Sequence, residues 1–355
     1  MVEPLPSAGV AYFEALCAAF THACERVTPT EITYDVGGYR VRAVFASDAL
    51  YRLMTPAMLH ISVAPDDTPP ALTVYFWDTA STGVQTPPPP WKLDAYGANG
   101  EIVGYNDARI HTQYQPGIDI LHMIDRAQDK AVYWIADAAR IPYWEASFPM
   151  RTILHWWMQD LPMQLVHAAA VGSSDGGVLI TGKSGSGKST ASLACLLYSE
   201  FGYVGDDYNL VSFNPLPTAY SLYGTAKLEP DNLFRFPALH QSITNGDALM
   251  SEKALIYINE RYPDKMLRAF PIKAVIVPRV AHQRDTRLLP GSAIASLTAL
   301  APTTLFHLPR ARAASFEKMA RLVKSVPHYV LETGTDLAQI PATLERLLRS
   351  EVQFA

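Results

Sequence analysis

The stretch GVLITGKSGSGKST, residues 177–190, decides how the second half of this 355-residue chain is read. Gly182, Gly187, Lys188 and Ser189 satisfy the spacing GxxxxGK[ST] of a phosphate-binding loop. An apolar run (VLIT) precedes it and a helix-compatible run (STASLACLLYSEF) follows, which is the strand–loop–helix context the motif requires. Glycines open backbone angles closed to other residues, so successive N–H groups turn inward as an anion nest. The helix that follows points its positive end at the same anion. Lys188 is placed to reach the β- and γ-phosphates, and the Ser189 hydroxyl to ligate Mg²⁺. Gly182, Lys183, Ser184, Gly185, Ser186, Gly187, Lys188, Ser189 and Thr190 are therefore the candidate nucleotide-binding residues.

Upstream of the loop, LVHAAAV and GVLITG read as a hairpin of buried strands turning over residues 172–177, and His167 lies in its first strand. Downstream, the short run YVG ends in Asp206-Asp207, 18 and 19 residues past Lys188. Carboxylates at a strand end beside a phosphate loop can hold Mg²⁺ directly or through water. Adjacent strand residues point to opposite faces, so one aspartate can serve the metal while the other accepts a proton from an acceptor hydroxyl. Lys227, near Glu229, is a candidate charge against the phosphates. Arg279, Arg310 and Arg312 are candidates for stabilising the transferring group. Further strands are expected at YNLVSF and IKAVIVPRV, and a strand, turn and helix starting near Pro341 at the end.

The first part reads differently. Residues 9–26 carry apolar groups at helical spacing. EITYDVGGYRVRAVFA predicts a hairpin turning at Gly37-Gly38, and LTVYFWDT a strand. Pro87 to Pro90 form a stiff connector. The runs EIVGYND, IDILHMID and KAVYWIAD (residues 101–139) resume strand-like patterning, and residues 148–160 predict a helix. The domain boundary is expected at 145/146, giving an α+β domain over 1–145, for acceptor or accessory binding, and an α/β nucleotide domain over 146–355.

Composition narrows the classes. Hydrophobic residues make up 49% and charged residues 18%, enough for a large core, and the net charge of −5 argues against a broad grip on nucleic acid or an anionic membrane. Trp77, Trp156 and Trp157 read as packing residues. Three scattered cysteines make neither a disulfide framework nor a zinc site. The N-terminus lacks a basic start with an apolar core, and no apolar run approaches membrane-spanning length, so a cytoplasmic protein is expected.

Residues 165–212 resemble the catalytic domain of HPr kinase/phosphorylase and, more closely, the HPr-kinase-like serine kinases found beside bacterial peptide-biosynthesis genes. His167-Ala168, Gly177 to Gly182, Ser184-Gly185, Gly187 to Ser189 and Asp206-Asp207 reproduce that family's order of motifs. The resemblance implies an α/β P-loop kinase domain related to the PEP-carboxykinase/HPr-kinase fold. It implies ATP and Mg²⁺ as cofactors, with phosphoryl transfer to a serine of a small protein or biosynthetic peptide such as a lasso-peptide precursor. It casts Asp206 as base, with His167 close to the reacting centre and Lys188 on the phosphates; Ser189 and Asp207 are left for the metal. A homo-oligomer is also expected from it. The chain departs from the family at Lys183, where an acidic residue is usual, and in lacking an EIRG-type segment after the aspartates, so reverse phosphorolysis is not expected. A small-molecule kinase and a non-catalytic ATP-binding regulatory protein are the alternatives that share these motifs.

Overall fold

The computed structural model describes residues 8–306, 308–310 and 313–351. The chain divides into two compact units, 1–56 with 62–160, and 57–61 with 161–355. The division falls between Asp160 and Leu161, past the expected 145/146, because residues 143–160 belong to the first unit.

In the first unit, α1 (Ala8–Arg26) is followed by the hairpin β1 (Thr30–Val36) and β2 (Tyr39–Phe45). Gly37 and Gly38 both have positive φ, which a two-residue hairpin turn with the right twist needs. Then come α2 (Asp48–Met54), capped by the Ser47 side chain accepting from Leu50 N–H, β3 (Ser62–Val63), β4 (Leu72–Asp78) and α3 (Thr79–Thr82). β5 (Ile110–Gln115), β6 (Ile120–Asp125) and β7 (Lys130–Ile135) form an antiparallel meander before α4 (Tyr143–Ser147) and α5 (Arg151–Trp157). Among the described residues the sheet has seven strands in the order β3-β1-β2-β4-β7-β6-β5, with β4 parallel to both neighbours. One face is covered by α1 through Phe13, Leu16 and Phe20 against Val44, Trp77, Leu121 and Val132.

The expected strand at EIVGYND is replaced by isolated bridges at Glu101 and Ile102 and a turn. Asn106 explains this: its side-chain amide donates to Ile102 O and Thr112 O and accepts from Thr112 N–H, taking over bonds a ladder would make. The proline connector is held by Tyr12, whose hydroxyl donates to Pro87 O, and Tyr105, which donates to Pro90 O. Trp77 and Trp156 are fully buried, as packing residues are.

The second unit opens with the hairpin β8 (Met163–Ser173) and β9 (Gly176–Thr181), followed by α6 (Lys188–Tyr198), β10 (Gly202–Gly205) and β11 (Tyr208–Ser212). Next are β12 (Thr218–Tyr220), the small pair β13 (Thr225–Leu228) and β14 (Ala254–Tyr257), α7 (Ile258–Arg261) and the long β15 (Ala269–Val280). The unit ends with β16 (Arg287–Pro290), α8 (Ala293–Leu305), α9 (Ala313–Ser325), β17 (His328–Thr333) and α10 (Gln339–Glu351). β9 is antiparallel to β8 and parallel to β15, and β15 is parallel to β17.

Strand alternation splits the core into two layers. Ala169, Val171, Val178, Ile180 and Ile276 face α6 and α10 through Leu193, Leu196, Ile340 and Leu344. Ala168, Ala170, Leu179 and Val275 face α8 and α9 through Leu300, Met319 and Leu322. The result is a mixed sheet between two helical layers. Each large aliphatic side chain buried this way contributes about 1.5–3 kcal/mol. The carboxyl ends of β9, β15 and β17 share one edge, where open α/β sheets place their ligands. Among the described residues, no helix is long and apolar enough to cross a membrane.

Candidate active site

The glycine loop connects the end of β9 to the start of α6. Gly185 (φ +75°) and Gly187 (φ +101°) occupy the left-handed region that folds successive N–H groups inward, and Gly187 caps α6. Gly182 is closely packed for another reason: a Cβ there would stand 2.4 Å from Ser186 Oγ, so the serine side chain would have to move. Lys188 is buried, and its ammonium donates to Gly182 O (2.7 Å) and Lys183 O (3.3 Å), so the loop is drawn around its own cation. Burial lowers the Lys188 pKa, and the nearby charges of Asp206 and Asp207 oppose that shift. Lys183, Ser184 and Gly185 are exposed at the loop tip, whereas Thr190 is buried in the first turn of α6.

The aspartate pair occupies a gap in a ladder. β8 pairs with β10 through Ala170↔Gly205 and with β11 through His167↔Tyr208, and Asp206 and Asp207 fall between. Asp207 has φ +62°, a conformation aspartate tolerates better than most residues. Its carbonyl still accepts from Ala168 N–H (3.0 Å), and the Asp206 carboxylate accepts from Asp207 N–H (2.9 Å). Asn209 clamps the gap by donating from its amide to Ala168 O (2.6 Å).

The two carboxylates point into different surroundings. Asp207 meets His167 Nε2 at 3.3 Å through Oδ1 and Lys227 Nζ at 2.9 Å through Oδ2. Burial pushes the Asp207 carboxyl up, but Lys227 and His167 outweigh it and hold it well below the usual carboxylate range. Asp206 is 1% exposed, and burial together with the Asp207 charge pushes it up to about 6, against the opposing pull of the Ser189 hydroxyl and the Lys188 charge. The pairing therefore differs from the expected one. His167 partners Asp207 rather than Asp206, and the Ser189 hydroxyl faces Asp206 rather than Asp207.

A buried carboxylate beside a serine hydroxyl is a hard-oxygen donor pair of the kind Mg²⁺ uses. Among the described residues no group of three or more His, Cys, Asp or Glu forms a metal site. A cation here would complete its shell from phosphate oxygens and water, as Mg²⁺ commonly does. The donors present, Ser189 and Asp206, fit that ion.

Of the remaining candidates, Lys227 joins the site, whereas Glu229 and Arg279 are engaged elsewhere. Glu229 is paired with Lys253 at 2.8 Å. Arg279 is bound to Glu332 on the neighbouring strand. Arg310 lies in the turn between α8 and α9 with φ +58°, and Arg312 lies outside the described residues. Three positioning residues escaped the sequence reading. Thr304 of α8 accepts from His167 N–H (2.9 Å), and Tyr203 donates to Thr225 O (2.9 Å), tying β10 to the strand that carries Lys227. Asn209, three residues past Asp206, is the third, and its short-range spacing was the one usable signal.

No family model matches the chain, and no curated protein matches it. Among solved structures, the HPr(Ser) kinase/phosphatase from Coxiella burnetii aligns with 54% of this chain and 99% of its own, at 17% identity and a TM-score of 0.30, values too low to bear on function.

Proposed function

We propose that the second unit is an ATP- and Mg²⁺-dependent phosphotransferase that moves the γ-phosphoryl group to a serine hydroxyl of a protein or peptide. The observation that carries the reading is the split of the aspartate pair. One carboxylate is turned toward the phosphate-loop serine and lysine, and its neighbour is held by a histidine and a second lysine. The motif resemblance of residues 165–212 supplies the acceptor class.

In this reading the loop N–H groups and Lys188 bind the β- and γ-phosphates, with Lys188 exchanging its contacts to Gly182 O and Lys183 O for phosphate oxygens. Ser189 and Asp206 hold Mg²⁺, which when bound neutralises charge developing on the phosphate oxygens. Asp207 orients the acceptor hydroxyl and receives its proton late, while His167 and Lys227 fix the carboxylate in place. A weakly basic carboxylate suits this task, because phosphoryl transfer passes through a loose transition state in which positioning matters more than strong base catalysis. Lys227 is already engaged by Asp207, which leaves it unavailable to cradle a second phosphate for the reverse reaction.

The test is incubation of the full chain with γ-labelled ATP, Mg²⁺ and serine-bearing peptides, followed by phosphoamino-acid analysis. The expected result is labelled phosphoserine that persists in millimolar phosphate without pyrophosphate release. Label found only as inorganic phosphate would contradict the transfer, and pyrophosphate appearing as phosphoserine disappears would contradict the one-way direction.

A further inference from the structure

A cavity of about 650 Å³ lies against the phosphate loop and plays no part in the chemistry above. It includes Val280 and Thr333, which pair across the carboxyl ends of the parallel strands β15 and β17. A Cβ placed on Gly187 would stand 3.8 Å from both Val280 Cγ2 and Thr333 Oγ1, so the cavity and the phosphate loop share a wall.

Two aromatic side chains line the cavity and are left open to solvent: Tyr198, the last residue of α6, is 46% exposed, and Phe234 is 75% exposed. Arg235 and His282 add polar groups. One wall is built rigidly from two loops zipped together. Thr335 N–H donates to Gln283 O (2.9 Å), Asp336 N–H to Arg284 O (3.2 Å) and Gly334 N–H to the Thr286 hydroxyl (3.0 Å). Only glycine fits at 334, where a Cβ would meet Arg284 O at 2.2 Å. His282, just past the end of β15, adopts φ +52°, a conformation histidine takes more readily than most residues.

The volume is that of a small-molecule site, and the mixture of exposed aromatic faces with a few polar groups is the lining such sites use. α6 spans about 15 Å from Lys188 to Tyr198 at 1.5 Å per residue, within the reach of an extended nucleoside triphosphate anchored by its phosphates. We infer that this cavity is the nucleoside subsite: the purine stacks on Phe234 and Tyr198, and the ribose passes over Val280 and Thr333 toward the loop. The inference rests on the reading of Gly182–Thr190 as a phosphate site and extends it to the part of the ligand that carries its identity. Aromatic stacking of this kind tolerates different bases. The subsite therefore rewards a nucleoside over bare polyphosphate more than it separates one purine from another.

Calorimetric titration of the full chain with MgATP and with magnesium tripolyphosphate tests it, using wild type, Phe234→Ala, Tyr198→Ala and Lys188→Ala. Both aromatic residues are substantially exposed, so their truncation leaves the core intact. The expected result is that wild type binds ATP more tightly than tripolyphosphate. Phe234→Ala and Tyr198→Ala should each weaken ATP about tenfold and leave tripolyphosphate unchanged. Unchanged ATP affinity in both aromatic variants, with both ligands weakened by Lys188→Ala, overturns the nucleoside subsite alone. Unchanged affinities in Lys188→Ala overturn the phosphate-site reading and this inference with it.

Discussion

Lys188→Ala is expected to lower phosphoryl transfer by on the order of 10²–10³-fold, the scale seen when one fixed electrostatic partner of a developing charge is removed. The fold should survive. Lys188 is buried and its ammonium is satisfied by two loop carbonyls rather than by core packing, so its loss removes a desolvated charge along with the two bonds. Thermal unfolding should move little, while transfer from labelled ATP collapses. A variant that retains wild-type turnover would show that the lysine faces no phosphate. A variant that fails to fold would show that its bonds to Gly182 O and Lys183 O are structural.

The second large effect separates the aspartates. Asp207→Asn should leave MgATP binding intact and lower turnover by roughly 10²–10⁴-fold, the usual scale for a group that positions or accepts the transferred proton. It should also cost stability at neutral pH. Asp207 is held ionised by Lys227 and His167, so its contribution is present above the ordinary carboxylate range and fades as pH falls through its lowered pKa. Asp206→Asn should act the other way on stability. Its pKa is raised in the folded state, so a destabilising cost builds as pH rises from the ordinary value of 3.8 and is complete above about 6. Asp206→Asn should therefore unfold at a higher temperature than wild type at pH 7.5, with the difference gone near pH 3. Its lost activity should be partly rescued by raising Mg²⁺. Identical behaviour of the two variants across a Mg²⁺ titration and a pH series of melting curves would defeat this division of labour.

Local chemistry made much of the second unit readable. The phosphate-loop spacing, the apolar strand before it and the GSSDGG turn behind it are short-range patterns, and they correspond to β8, β9 and α6. What could not be read depends on contacts distant in sequence. Lys227 and His167 meet on Asp207 from strands of different sheets, β13 and β8, and Thr304 reaches His167 across 137 residues. The different surroundings of Asp206 and Asp207 are set by partners from other elements, and Asp207 itself has φ +62°, which alternation along an ideal strand does not anticipate. In the first unit, Asn106 diverted a strand-like run into a turn by offering side-chain bonds in place of backbone ones, and the division at 160/161 places α5, a helix the sequence does signal, with the unit before it.

The most direct test of the central claim is equilibrium binding of ATP to the intact chain with and without Mg²⁺. The account predicts one saturable site per chain that requires the divalent ion and is lost in Lys188→Ala. Absence of saturable binding at millimolar ATP, or binding indifferent to both Mg²⁺ and Lys188, would contradict it.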